Sequence, residues 1–295
     1  MIKTTPIITN EFETYTLAEI PSAEALQKHY REKYYQSELR YSHTYSSTEL
    51  AYLKNKFLQK FEIVDKALPE SSPRSVLELG AGEGWTLSFF LELGWKVNGI
   101  DYSSFGAKTH NPHVLDCLTE GDVEHEAMRL LDSGCSYSVI WLDNVLEHVP
   151  DPLALLKLCR QLANKQALLV IEVPNDFSPV QQRLLEDGYI DREFWISPPE
   201  HISYFSRKSL HRVCSAAGWN VIDTIADYPI ELNLFNERTN YVLNPELGKD
   251  CHRARVAIEN FISGFGVDKA NAFYRQLASV DLGRQIISFF KNAPP

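Results

Sequence analysis

The sequence predicts an α/β protein: a doubly wound, mostly parallel sheet with helical extensions at both ends. Three observations predict it. From Arg74 onward, short apolar runs alternate with segments of helical period. A turn with three glycines, "GAGEG" (Gly80–Gly84), joins the first apolar run to the first helical one. Outside this stretch the alternation is lost and helical spacing prevails.

The elements follow in order. Residues 20–68 have helical spacing and many tyrosines: Tyr30, Tyr34, Tyr35, Tyr41, Tyr45 and Tyr52. A capping box, Ser46 with Glu49, opens a helix toward Leu68. "LPESSP" (Leu68–Pro73) reads as a linker. Strands are predicted at 75–79, 96–101, 113–116, 137–143, 167–173 and 219–226. Helices are predicted at 85–93, 122–132, 152–164 and 207–217, the third opened by Asp151-Pro152. After Pro174 about 30 residues precede the next helix, long enough to be a lid or pocket wall. That segment holds a helix of its own, started by Ser178, Pro179 and Gln181 and stopped at Gly188. Residues 229–295 read as helical. The expected division is an N-terminal extension or lid (1–73), a ligand-binding α/β domain (74–228, with 174–205 over its active site) and a C-terminal extension (229–295).

Composition narrows the function. The 295 residues are 44% hydrophobic and 23% charged, ordinary for a globular chain, and the net charge is −10. Such an acidic chain without a concentrated basic run is not expected to bind nucleic acid. No apolar run approaches the roughly 20 residues of a membrane span, and the N-terminus has no apolar signal core, so a cytoplasmic location is expected. The five cysteines are dispersed, with no Cys-x-x-Cys pair. Free thiols and no metal are the expectation.

The strand–glycine turn–helix unit places backbone N–H groups and a helix N-terminus at the sheet edge where ligands bind. Asp101 ends the second strand, 21 residues after Gly80, where an acid takes ribose hydroxyls in nucleotide folds. The spacing G-x-G-x-G differs from the dinucleotide G-x-G-x-x-G. A pyrophosphate here would also face Glu78 and Glu83. S-adenosylmethionine carries an ammonium and a sulfonium and no phosphate, so an acidic rim suits it. A nicotinamide-dependent sugar oxidoreductase is the enzymatic alternative, and a non-catalytic scaffold the other.

At these residues the sequence resembles a family. "VLELGAGEG", "GIDYS", "VIWLDNVLEHVPDP" and "PEHISYFS" look like class I S-adenosylmethionine-dependent methyltransferases, which have a Rossmann-like fold. The resemblance covers roughly residues 74–226 and is nearest to the bacterial subgroup acting on sugars and small polar metabolites of surface-polysaccharide or antibiotic-sugar pathways. It implies that Glu78 and the backbone of Gly80, Ala81, Gly82 and Gly84 hold the methionine moiety and that Asp101 binds the ribose. It implies further that Tyr102 flanks the adenine, Asp116 meets the adenine amino group, and Asp143 and Asn144 close the site beneath the sulfonium. The acceptor it implies is a small molecule, a sugar or sugar nucleotide; a homodimer is left open.

Methyl transfer from a sulfonium needs alignment and, for a hydroxyl acceptor, a base. Histidine suits that task near neutral pH. His148, in "DNVLEHVPDP", and His201, in "PPEHISYF", both fall where loops overhang the ligand edge. The Glu-His pair of related sugar C-methyltransferases maps onto Glu200 and His201, so His201 is the expected base, with His148 next. Tyr41 and Tyr45 are candidate lid residues.

Overall fold

The computed structural model describes residues 6–22, 26 and 43–292. The readings of Tyr30, Tyr34, Tyr35 and Tyr41 lie outside the described residues.

A three-stranded antiparallel sheet joins β1 (Ile7–Thr9), β2 (Tyr15–Leu17) and β8 (Ser203–Tyr204). Helix α1 (Ser47–Ala67) then starts at the expected box: Ser46 Oγ accepts the Glu49 N–H, and Glu49 takes the Ser46 N–H at 2.8 Å. The alternating region follows as β3 (Ser75–Leu79), α2 (Trp85–Glu92), β4 (Lys96–Asp101), α3 (Phe105–His110), β5 (Leu118–Glu120), α4 (Val123–Asp132), β6 (Tyr137–Asp143), α5 (Pro152–Gln161), β7 (Ala163–Pro174), α6 (Pro179–Glu186), α7 (Arg207–Ala216) and β9 (Trp219–Ala226). The chain closes with α8 (Gly248–Ser263), α9 (Val267–Ser279) and β10 (Gln285–Asn292).

The main sheet has seven strands in the order β5-β4-β3-β6-β7-β10-β9, parallel except for β10, which pairs antiparallel with both neighbours. Its inner strands alternate between two buried faces. Leu77, Leu79, Ile140 and Leu142 pack with α4, α5 and α7 on one side. Val76, Val97, Val139 and Trp141 pack with α1, α2 and α9 on the other. Continuous burial, rather than alternation with polar residues, is the mark of a sheet covered on both sides.

Three expectations need correction. The N-terminal extension, expected to be helical, carries the strands β1 and β2, which pair with each other, and β2 also with β8, through backbone hydrogen bonds. Residues 112–117 form a 3-10 helix, and the third parallel strand lies just after it, at Leu118–Glu120. Pro112 sets the φ that starts the 3-10 turn and offers no N–H to a ladder. Residues 285–292, read as helical, are strand β10. The run "QIISFFKN" is rich in β-branched and aromatic residues, and the open position between β7 and β9 supplies partners for both its edges.

The 174–205 segment begins as expected, with Ser178 Oγ accepting the Gln181 N–H at 3.3 Å. Its Leu184, Ile190 and Trp195 form a small core with Leu234 and Val242. Its far end is stitched down twice. Ile202 donates to the Glu147 carbonyl at 2.8 Å, and its own carbonyl accepts the Leu17 N–H at 3.0 Å.

Candidate active site

At the carboxyl end of β3, Gly80, Gly82 and Gly84 all have left-handed φ, 77°, 52° and 76°, which disfavours any side chain there. A Cβ on Gly80 would lie 2.4 Å from Val145 Cγ2, and one on Gly84 2.8 Å from Val114 Cγ2, whereas the space over Gly82 is open. The N–H groups of this turn are used within the chain. Gly80 and Ala81 donate to the Ile100 carbonyl at 2.8 and 3.0 Å. Gly82 donates to Asp101 Oδ2 at 2.8 Å and Gly84 to the Ala81 carbonyl at 2.8 Å. Four of the turn's five N–H groups thus bond within the chain, and the backbone is tight with room above Gly82.

Asp101 closes β4, and its other oxygen accepts the Ser103 N–H at 2.9 Å. Burial raises its pKa, and these two N–H bonds oppose that. Each oxygen keeps a second lone pair for a ligand hydroxyl. Glu78 is 3% exposed, and its Oε2 is buried with no hydrogen-bond partner. Burial drives its carboxyl well above the usual range; a hydrogen bond with Thr86 and the Lys60 ammonium oppose the rise, and the nearby Asp143 and Asp101 add to it. A buried acid with one unpartnered oxygen beside two more acids is a setting that a cationic ligand relieves. These residues fit S-adenosylmethionine, whose ammonium and sulfonium are the complementary charges.

Glu83 has a different task from the one its place in the turn suggests. Its Oε2 accepts from Tyr45 Oη at 2.7 Å and Trp85 Nε1 at 2.6 Å, and Oε1 lies 3.5 Å from His110. The glutamate anchors the segment before α1 rather than facing a ligand. Tyr45 packs edge-on against both Trp85 and His110.

Asp116 lies in the exposed 3-10 turn before β5, not after it, so its assigned place at the strand end is taken by other residues. Those are Glu120, Gly121 and Asp122. The Gly121 N–H donates to the Asp101 carbonyl at 2.8 Å, and Tyr102 Oη donates to Asp122 Oδ2 at 2.5 Å. Asp122 is the acid next to Tyr102, and its signal, Gly-Asp directly after a short strand, is legible once the strand is placed at 118–120.

Asp143 ends β6 but meets a partner absent from the expectation. Lys60, reaching from α1 with only 4% of its side chain exposed, bridges Asp143 Oδ2 at 2.6 Å and Glu172 Oε2 at 2.5 Å. Its ammonium also lies 5.3 Å from the centre of the Trp141 ring. Asn144 is exposed with φ 54°, and its N–H donates to the Glu172 carbonyl at 2.8 Å.

The two Glu-His dipeptides, 147–148 and 200–201, come together. The rings of His148 and His201 meet edge to face with centroids 4.9 Å apart. His148 Nδ1 lies 2.7 Å from the Glu200 carbonyl, so it carries the hydrogen and donates it. Glu200 thus contributes its backbone here. Glu147, which sequence reading passed over, is 1% exposed, and neither of its carboxylate oxygens has a hydrogen-bond partner. His201 Nδ1 is likewise buried without a partner. Burial, then the neighbouring His148, pushes the His201 pKa down to about 4, so the ring is neutral at physiological pH.

The family profile described as "Methyltransferase domain" matches residues 52–224. The ubiquinone biosynthesis O-methyltransferase of Caulobacter vibrioides is 27% identical over 162 residues, covering 54% of this chain and 64% of the relative. That of Albidiferax ferrireducens is 31% identical over 93 residues, covering 30% and 36%. The chain thus spans about a third to just under two thirds of these relatives. Among solved structures, the 1,6-didemethyltoxoflavin-N1-methyltransferase of Burkholderia thailandensis, solved with S-adenosylhomocysteine, superposes with TM-score 0.51 at 13% identity over 98% of this chain and 99% of its own. A SAM dependent methyltransferase from Archaeoglobus fulgidus gives TM-score 0.50 at 19% identity over 88% and 99%. With the profile matched across more than half of its length, the chain belongs to the methyltransferase-domain family and has that family's S-adenosylmethionine-binding α/β fold.

Proposed function

We propose that the protein transfers a methyl group from S-adenosylmethionine to a hydroxyl oxygen of a small polar acceptor. The observation that supports this most is the buried Glu78 carboxyl at the base of the glycine turn, whose Oε2 has no hydrogen-bond partner, beside Asp101 and Asp143. Glu78 holds the ammonium, Asp101 the ribose hydroxyls, and Tyr102 with Asp122 the adenine side. The Glu147–His148–His201 cluster handles the acceptor and its proton. A nicotinamide-dependent oxidoreductase is disfavoured, because a pyrophosphate would have to sit beside the buried Glu78 carboxyl, with Asp101 and Asp143 close by.

The acceptor we favour is a sugar or a nucleotide-linked precursor of a surface polysaccharide, on the strength of the motif resemblance. A second reading, an aromatic hydroxyl on a quinone precursor, is favoured by the similarity to the ubiquinone biosynthesis O-methyltransferases of Caulobacter and Albidiferax. Transfer of labelled methyl to each acceptor class separates the two. His201→Ala is expected to abolish most turnover with cofactor affinity unchanged. Asp101→Ala is expected to weaken cofactor binding at least tenfold, about 1.4 kcal/mol, by calorimetry. Equal cofactor affinity in Asp101→Ala and wild type would refute the ribose assignment.

A further inference from the structure

We infer that Glu147, His148 and His201 form a binding site for a divalent transition cation of the zinc class. The inference deepens the proposed function, since it concerns the acceptor side of the same site, but binding of the ion can be measured without any methyl transfer.

Three features of the cluster support it. Each residue offers a ligand atom, and all three atoms lie within 4.8 Å of one another. Tetrahedral ligation with bonds of about 2.1 Å would place them roughly 3.4 Å apart, so the shell closes by side-chain rotation alone. Next, the tautomer is preset. The Glu200 carbonyl holds His148 through Nδ1 at 2.7 Å, which puts the lone pair on Nε2, the atom 3.9 Å from Glu147 Oε1. Orientation of a ligating imidazole by a carbonyl on its far nitrogen is the usual support of a metal-bound histidine.

The third feature is the lack of any internal partner for Glu147. Its carboxylate is 1% exposed and both oxygens lack a hydrogen bond, with His148 Nε2 at 3.9 Å from Oε1, while the Nδ1 of His201 in the same cluster is buried without a partner. A buried carboxylate in that state costs about 1–3 kcal/mol. A cation held by Glu147 and His201, with His148 oriented beside them, would relieve that cost. Two imidazoles and one carboxylate match the preferences of zinc, cobalt or iron better than those of magnesium or calcium. Three protein ligands leave a coordination position for a water or an acceptor oxygen.

The test uses the full chain stripped with a chelator and titrated with Co(II), whose visible absorption reports ligation. One saturating equivalent with nitrogen-ligand bands is expected, displaced by Zn(II). Glu147→Gln, which preserves volume and permits internal hydrogen bonds, is expected to weaken Co(II) binding at least tenfold. His43→Ala, remote from the cluster, is expected to leave it unchanged. Cofactor binding by calorimetry, measured on the same samples, reports whether each variant is folded and whether the methyltransferase reading stands. Unsaturable or absent Co(II) binding by a protein that still binds cofactor overturns the cation site alone. Equal binding by wild type and Glu147→Gln overturns it as well.

Discussion

The two halves of the proposed site are built in different ways. On the cofactor side, Glu78, the glycine turn and Asp101 lie within one strand–turn–helix–strand unit, and β3 and β4 pair directly. On the acceptor side, Lys60 meets Asp143 across 83 residues of sequence and His148 meets the Glu200 carbonyl across 52. The first half depends on local backbone geometry. The second depends on elements folding onto one another, and it concentrates buried charge. Local geometry is thus the part a short motif encodes, whereas the acceptor side is set by packing.

The largest expected effect tests that contrast on the acceptor side. Lys60→Met leaves Asp143 and Glu172 buried without their shared cation, and is expected to cost about 4 kcal/mol in chemical denaturation. A loss under 1 kcal/mol would mean the carboxylates are hydrated and the acceptor side less dependent on packing. Next is Gly80→Ala. It forces a side chain into left-handed φ and against Val145 at 2.4 Å, for a combined loss of about 3 kcal/mol. Val145 belongs to the loop after β6, so this one substitution strains both halves. The double variant with Val145→Ala should recover part of the loss if the clash is the cause.

A smaller effect is expected at Tyr45. Tyr45→Phe removes the hydroxyl that donates to Glu83 at 2.7 Å. It should cost about 1 kcal/mol, or about fivefold in cofactor Kd if the tyrosine also covers the bound ligand. Unchanged affinity with reduced stability would confine the residue to anchoring. The smallest effect is a control outside both halves. His211 contacts Thr224 and Ser288, each at 3.1 Å, and burial followed by Arg207 pushes its pKa down to about 4. Its folded pKa lies below the unfolded value of about 6.5, so the unfolded chain binds more protons between these values. Its contribution to stability is full above about pH 6.5 and declines as pH falls toward 4. His211→Gln should flatten that part of the stability–pH curve while cofactor affinity stays constant.

Legibility in the sequence followed the same division. Strands β3, β4, β6 and β9 lie where their apolar runs place them, and the caps at Ser46, Asp151 and Ser178 hold as expected. Asp116 was misplaced because Val114 and Leu115 mimic a strand in a stretch where Pro112 starts a 3-10 turn. Strand β10 was read as helix because its pairing partners, β7 and β9, lie far away in sequence. Lys60 sits on an otherwise ordinary amphipathic helix, where a lysine signals solvent; only the position of α1 over β6 and β7 buries it. Glu147 stands out only once folding buries it at 1% exposure with both carboxylate oxygens unpartnered.

Local sequence alone determined the glycine turn, the acid that closes β4 and the two Glu-His dipeptides. Those depend on backbone dihedrals and short-range spacing, which a few adjacent residues set. Tertiary structure decided that Glu83 faces Tyr45 and Trp85, that Lys60 is shared by two carboxylates, and that the two Glu-His pairs meet. The physical reason is that burial and long-range electrostatics belong to the packed assembly: a side chain's partner across 50 or more residues exists only once the sheet and its coverings have closed.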